Sequence, residues 1–113
     1  MSDNCLFCKI IKGDIPADKL YEDDEILAFR DIAPQAPVHF LVIPKKHISG
    51  PSQVSGEDEQ LMGKLIRIGG ELAKKEGIEH FRMVINNGEQ AGQTVFHIHL
   101  HILGGRNLNW PPG

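Results

Sequence analysis

Three histidines stand at alternate positions near the end of the chain: His97, His99 and His101, within QTVFHIHLHILGG. They are half of the six histidines in 113 residues. On an extended strand, alternate side chains share a face. A rise near 3.3 Å per residue sets neighbours in the row ~6.7 Å apart at Cα, so their rings can meet one ligand. A plain solvent face would pair better with threonines or β-branched residues. Two chemistries suit the row. Two strand histidines and a third ligand can hold a catalytic zinc. Alternatively, neutral imidazole attacks a phosphate while protonated imidazole stabilises charge.

Cys5 and Cys8, in CLFCK, fall on one side of a helical turn. A lone structural disulfide is rare in a reducing compartment, which leaves metal binding, redox chemistry or two buried free thiols. A thioredoxin-like pair would follow a strand in a βαβ unit, and no strand precedes these cysteines. Tetrahedral zinc would need two further ligands.

The elements around these residues read as follows. Residues 6–11 form a short helix stopped by Gly13 and Pro16. Residues 19–22 and 26–30 make a hairpin around EDDE. A loop spans 31–37, and 38–43 (VHFLVI) is a central strand buried on both faces and ended by Pro44. A long helix starts at Ser55 as N-cap, with Asp58 completing a weak capping box. Its apolar stripe is Leu61, Leu65, Ile68 and Leu72, and Gly77 closes it. Gly69 and Gly70 inside it mark either tolerated weakness or a close approach to another backbone. A strand at 81–86, the glycine-rich loop NNGEQAGQ and a strand at 95–103 complete the chain. On the last strand, Val95, His97, His99, His101 and Leu103 share one face, and Phe96, Ile98, Leu100 and Ile102 face the core. The sum is an α+β domain: a five-stranded, mostly antiparallel sheet with one short and one long helix. Residues 1–113 form a single domain, with 107–113 as a tail.

Composition narrows the class. Hydrophobic residues make up 41% and charged residues 24%, as in an ordinary globular domain. The net charge of −3 argues against a nucleic-acid partner, which needs a basic surface. No apolar run is long enough for a membrane span, and the N-terminus lacks a signal-peptide pattern, so a cytoplasmic location is expected.

His97-Ile98-His99-Leu100-His101-Ile102-Leu103 resembles the signature of the histidine triad superfamily, in which histidines alternate with apolar residues. FCKIIKGDIPADKLYEDD, AFRDIAPQAPVHFLVIPKKHIS and VFHIHLHILGGRNLNWPPG are similar to the Hint branch, the purine nucleoside phosphoramidases. Related uridylyltransferases carry glutamine where this chain has His101, so the resemblance points to hydrolysis. It implies that His99 is the nucleophile, that His101 stabilises phosphate charge and that His39 supports the site. Thr94 stands where serine is common and would relay a proton to the leaving amine. The loop Gly92, Gln93, Thr94 and Val95 would offer backbone N–H groups to the phosphate, with Asn86 near the phosphate or ribose. Phe7, Ile10, Phe29, Ile32 and Leu41 would hold the base, and Asp31 the ribose hydroxyls. For Cys5 and Cys8 it implies His47 and His97 as the missing ligands of a structural zinc, with no metal required for catalysis.

The resemblance further implies a homodimer with a continuous sheet, and a tail whose Trp110 approaches the partner's site beside the amine. Three rivals remain at this stage. They are a dinucleoside polyphosphate hydrolase, a nucleotide-binding regulatory module with incidental hydrolysis, and a His₃ metalloenzyme.

Overall fold

The computed structural model describes residues 4–113. Five strands form one antiparallel sheet: β1 (Lys19–Glu22), β2 (Ile26–Arg30), β3 (Val38–Pro44), β4 (Phe81–Val84) and β5 (Leu100–Gly104), in the order β1-β2-β3-β5-β4. Helix α1 (Leu6–Lys12) covers part of one face, and helix α2 (Glu59–Lys75) lies on the other. This is the α+β architecture expected from the sequence. Among the described residues, no helix is long and apolar enough to cross a membrane.

The pleat sorts the core into two clusters. Ile26, Ala28, Phe40, Val42, Leu100 and Ile102 pack under Leu65, Ile68 and Leu72 of α2. The alternate residues Leu27, Phe29, Leu41 and Ile43 pack under Cys5, Phe7 and Ile10 at α1. The hairpin between β1 and β2 closes because Asp23 Oδ1 accepts the backbone N–H groups of Glu25 and Ile26, both at 2.8 Å. Helix α1 is capped by the Cys5 sulfur, which accepts the Cys8 N–H at 3.3 Å, and ends at Gly13 with φ of 87°.

Four details differ from the sequence reading. The last strand begins at Leu100, not at residue 95. In the antiparallel register Val42 faces Leu100, so Ile98 would face Pro44, which has no N–H to give. Ile98 N–H instead donates to Ile48 O at 2.6 Å, and the chain peels away from the sheet. His97 and His99 therefore sit on an irregular segment. Phe96, expected in the core, is 51% exposed, while Ile98, Leu100 and Ile102 are buried. The fourth strand ends at Val84, leaving Ile85 and Asn86 outside it. Ser55 makes no side-chain cap; a 3₁₀ turn over 56–58 precedes α2, and Lys46 Nζ holds the Asp58 carboxylate at 2.9 Å. The two glycines of α2 also separate. A Cβ on Gly69 would lie 2.9 Å from Ile102 Cδ1, whereas Gly70 faces open space. The close approach is thus to side chains of its own sheet.

In the tail, Trp110 is 80% exposed. Its ring lies 5.9 Å from the Arg82 guanidinium carbon, and Arg82 also donates to Asn109 O at 2.9 Å.

Candidate active site

The short helix leaves a cleft of about 240 Å³ between α1 and the sheet. Phe29 and Leu41 project from neighbouring positions on β2 and β3 and form the floor. Leu6, Phe7 and Ile10 of α1 form one wall. Phe7 is wedged there by edge-to-face contacts with Phe29 at 5.4 Å and His99 at 5.0 Å between ring centroids. Arg30, Asp31 and Ile32 make one rim, with Ile32 97% exposed. Thr94 and Val95 make the opposite rim, and His99 and His101 close the back.

Hydrogen bonds assign the protons of two rings. His99 Nδ1 lies 2.7 Å from the His97 carbonyl, which can only accept. Nδ1 therefore carries the proton, and Nε2 keeps its lone pair. His97 Nε2 lies 2.8 Å from Pro44 O, so its proton is on Nε2 and its Nδ1 is bare. Pro44 thus acts twice, by withholding an N–H from the ladder and by supplying a carbonyl to His97. His39 Nε2 is 2.9 Å from His101 Nδ1 and 3.4 Å from Asp31 Oδ2. His99 and His101 rings are 4.9 Å apart.

Burial pushes all four imidazoles toward the neutral form. Burial lowers the pKa of His99, against the opposing pull of the His97 carbonyl and Asp31. Burial likewise takes His101 down to about 4, helped by neighbouring His99 and His39 and opposed by Asp31. His39 is lowered by burial, with Asp31 opposing. His97 is brought to about 4 by burial above all. A neutral imidazole with a bare Nε2 in a cleft is a nucleophile.

Not every residue expected at the nucleotide lines the cleft. His39, expected only to support the site, reaches it through His101. Gln93 is 2% exposed and its amide is fully engaged. It accepts from Gly88 N at 2.8 Å and donates to Ser49 O at 2.6 Å and Val95 O at 3.2 Å, bracing the loop from within. Gly92 has φ of 97°, a Cβ on it would lie 3.6 Å from Asn86 Nδ2, and neither residue lines the cleft. Conversely, Leu6 and Arg30 line the cleft and were not foreseen. Leu6 could have been found by its i,i+4 spacing from Ile10. Arg30 could not, since its guanidinium pairs with Glu76 at 2.9 Å and Asp18 at 3.6 Å.

Beside the cleft, Cys5, Cys8, His47 and His97 converge, with ligand atoms all within 4.8 Å of one another. His97 Nδ1 lies 3.4 Å from Cys5 Sγ, 3.5 Å from Cys8 Sγ and 3.2 Å from His47 Nδ1; Cys8 Sγ lies 3.4 Å from His47 Nδ1. Zinc–nitrogen and zinc–sulfur bonds near 2.05 and 2.3 Å give a tetrahedron whose edges are about 3.3–3.8 Å. The four separations above are four of the six edges and lie within about 0.2 Å of those lengths, and the bare Nδ1 of His97 suits a ligand. The set fits a structural Cys₂His₂ metal site.

The family model described as HIT domain matches residues 12–108. An uncharacterized HIT-like protein of Synechococcus elongatus is 54% identical, covering 100% of both chains. A HIT family hydrolase from Legionella pneumophila Philadelphia 1 superposes with TM-score 0.95 at 52% identity, covering 97% of this chain and 100% of that one. A HIT family hydrolase from Clostridium thermocellum gives TM-score 0.92 at 41% identity, covering 95% of each.

Proposed function

This chain belongs to the HIT family, and we propose from that premise that it is a hydrolase of purine nucleoside 5′-phosphoramidates, cleaving the P–N bond through a nucleotidyl-histidine. One observation carries the reading: His99 presents a bare Nε2 to a cleft whose floor and wall are apolar. The base would lie between Phe7, Ile10, Phe29, Leu41 and the exposed Ile32. Asp31, at the rim, would accept the ribose hydroxyls. His99 Nε2 attacks phosphorus, and the P–N bond breaks. The amine leaves with a proton relayed through the Thr94 hydroxyl. Water then attacks the nucleotidyl-His99 and releases the nucleotide, restoring the bare Nε2. His101 beside it stabilises charge on the phosphate oxygens. A metal on Cys5, Cys8, His47 and His97 would tie the first turn of α1 to the segment that carries His99, and none of the chemical steps uses it.

The second copy implied by the resemblance would pair along β4. That strand is one of the two sheet edges, with all four residues half-buried, and Ile66 and Ile85 are exposed. The runner-up activity, hydrolysis of dinucleoside polyphosphates, uses the same nucleophile and differs in the leaving group.

The experiment is turnover of a fluorogenic adenosine phosphoramidate beside a diadenosine polyphosphate, with and without chelator, after elemental analysis. Phosphoramidate turnover that survives chelation, with about one zinc per chain as isolated, is the expected result. Preference for the polyphosphate would favour the runner-up. Loss of activity with chelator while the fold persists would point to a catalytic metal. Tight AMP binding without turnover would leave a regulatory module.

A further inference from the structure

We infer that the backbone N–H of Gln35 sets the tautomer of His101, acting through His39, and so makes Gln35 a positioning residue for the cleft. A backbone N–H can only donate. That of Gln35 lies 3.0 Å from His39 Nδ1, so this nitrogen is bare. A neutral imidazole with a bare Nδ1 carries its proton on Nε2. His39 Nε2–H then has two acceptors, His101 Nδ1 at 2.9 Å and the Asp31 carboxylate at 3.4 Å. The nearer takes the hydrogen bond. His101 Nδ1 is thereby an acceptor, and its own proton must sit on Nε2. The ring lines the cleft. A protonated Nε2 there can donate to a phosphate oxygen, whereas a bare one would repel it.

The loop that carries the Gln35 N–H is held from several sides. Arg106 Nη2 donates to Gln35 O at 2.8 Å, and Gln35 Nε2 donates to Ala33 O at 2.9 Å. Asp31 Oδ1 accepts the Ala33 N–H at 2.8 Å. The side chain of Gln35 bonds Ala33 O, while the bond to His39 comes from its main chain. The same hydrogen bond bears on a competing use of these groups. Asp31, His39 and His101 bring donor atoms within 4.8 Å of one another and could be taken for a cation site. Binding a cation would need His39 Nε2 bare and Nδ1 protonated. Two donors would then face each other across 3.0 Å.

The tautomers stand apart from the proposed activity, but their catalytic consequence rests on it. Long-range proton–nitrogen NMR of histidine-labelled full-length protein distinguishes bare from protonated ring nitrogens. The expected spectrum shows His39 and His101 both protonated on Nε2. Protonation of His101 on Nδ1 overturns the inference, as does displacement of the His39 and His101 signals by added zinc beyond one equivalent. Gln35→Pro deletes the N–H, and Gln35→Ala keeps it. Mixed tautomers at both rings are expected in Gln35→Pro, with kcat for a phosphoramidate reduced roughly tenfold or more and KM changed less. Gln35→Ala, which keeps the N–H, should leave His39 and His101 protonated on Nε2. Unchanged tautomers in a folded Gln35→Pro protein would overturn the inference. Should Gln35→Pro fail to fold, the wild-type spectrum still decides. Correct tautomers in a protein that turns over no phosphoramidate would refute the proposed activity and leave the tautomer assignment standing.

Discussion

The two faces of the sheet are built from alternate residues of the same strands, yet they are furnished differently. Towards α2, β2, β3 and β5 present Ile26, Ala28, Phe40, Val42, Leu100 and Ile102, all apolar and at most 2% exposed. Towards α1, the same strands present Leu27, Phe29, Leu41 and Ile43 together with His39 and His101. A helix of 17 residues closes the first face, and one of 7 residues covers only part of the second. The uncovered part is the cleft. A two-residue pleat thus separates stability from chemistry without a second domain. The closed face supplies a scaffold rigid enough to hold imidazoles in assigned tautomers on the open one.

The sharpest way to break this comparison is one substitution on each face. His99→Asn should lower turnover by about 10³-fold or more, since it removes the nucleophile. Its urea midpoint should stay close to wild type and AMP should still bind. Phe40→Ala should cost about 3–5 kcal/mol, a large part of a small domain's stability. The fraction that remains folded in the cold should keep near-normal kcat. Chemical denaturation and initial rates on both proteins test the pair. A folded Phe40→Ala protein with kcat down by two orders of magnitude would mean that the faces are not separable.

A smaller effect concerns pH, and it belongs to the open face alone. His101 has a folded pKa of about 4, against about 6.5 when unfolded. The groups that act on it are His99, His39 and Asp31. Between these values the unfolded chain binds more protons, so stability rises with pH. This contribution is full above about 6.5 and is lost as pH falls toward 4. Wild-type urea midpoints should therefore fall between pH 7.5 and 4.5. In His101→Gln the fall should be shallower. An equal fall in both would show that His101 is not among the groups responsible.

Much of the open face was legible in the sequence, because histidines at alternate positions have few other uses. Strand alternation correctly put Ile98, Leu100 and Ile102 inside. It failed for Phe96, and the reason lies elsewhere in the chain. The ladder ends opposite Pro44, whose missing N–H is a fact about β3 that no reading of β5 alone contains. Gln93 shows a second limit. The resemblance implied a backbone N–H offered to the phosphate, but the Gln93 N–H donates to Gly88 O at 3.0 Å and its side-chain amide is turned inward to Gly88, Ser49 and Val95. A polar residue type names what a side chain can bond, and only the fold says which way it faces. Four metal-compatible residues were legible as a set only through the resemblance, since Cys8 and His47 are 39 positions apart. Their agreement with tetrahedral edges is a property of the folded chain.

The smallest effect belongs to the closed face, at two adjacent residues of α2. Alanine is favoured over glycine in a helix interior by roughly 0.8–1 kcal/mol. At Gly70 a Cβ would meet nothing within 4 Å, so Gly70→Ala should gain most of that amount. At Gly69 the same methyl would lie 2.9 Å from Ile102 Cδ1 and 3.4 Å from Met83 Cε. Ile102 is fully buried and packed on Leu100 and Phe40, so its side chain has little room to move. The strain offsets the helix gain, and Gly69→Ala should come out neutral or destabilised. Urea midpoints at one protein concentration give the difference between the two alanines, since the proposed dimer would make either value depend on concentration. That difference isolates packing, because helix propensity is common to both. Equal gains at 69 and 70 would mean that the closed face is slack enough to absorb a methyl. It would then be no more rigid than the face with the cleft, and the division between scaffold and site would lose its physical basis.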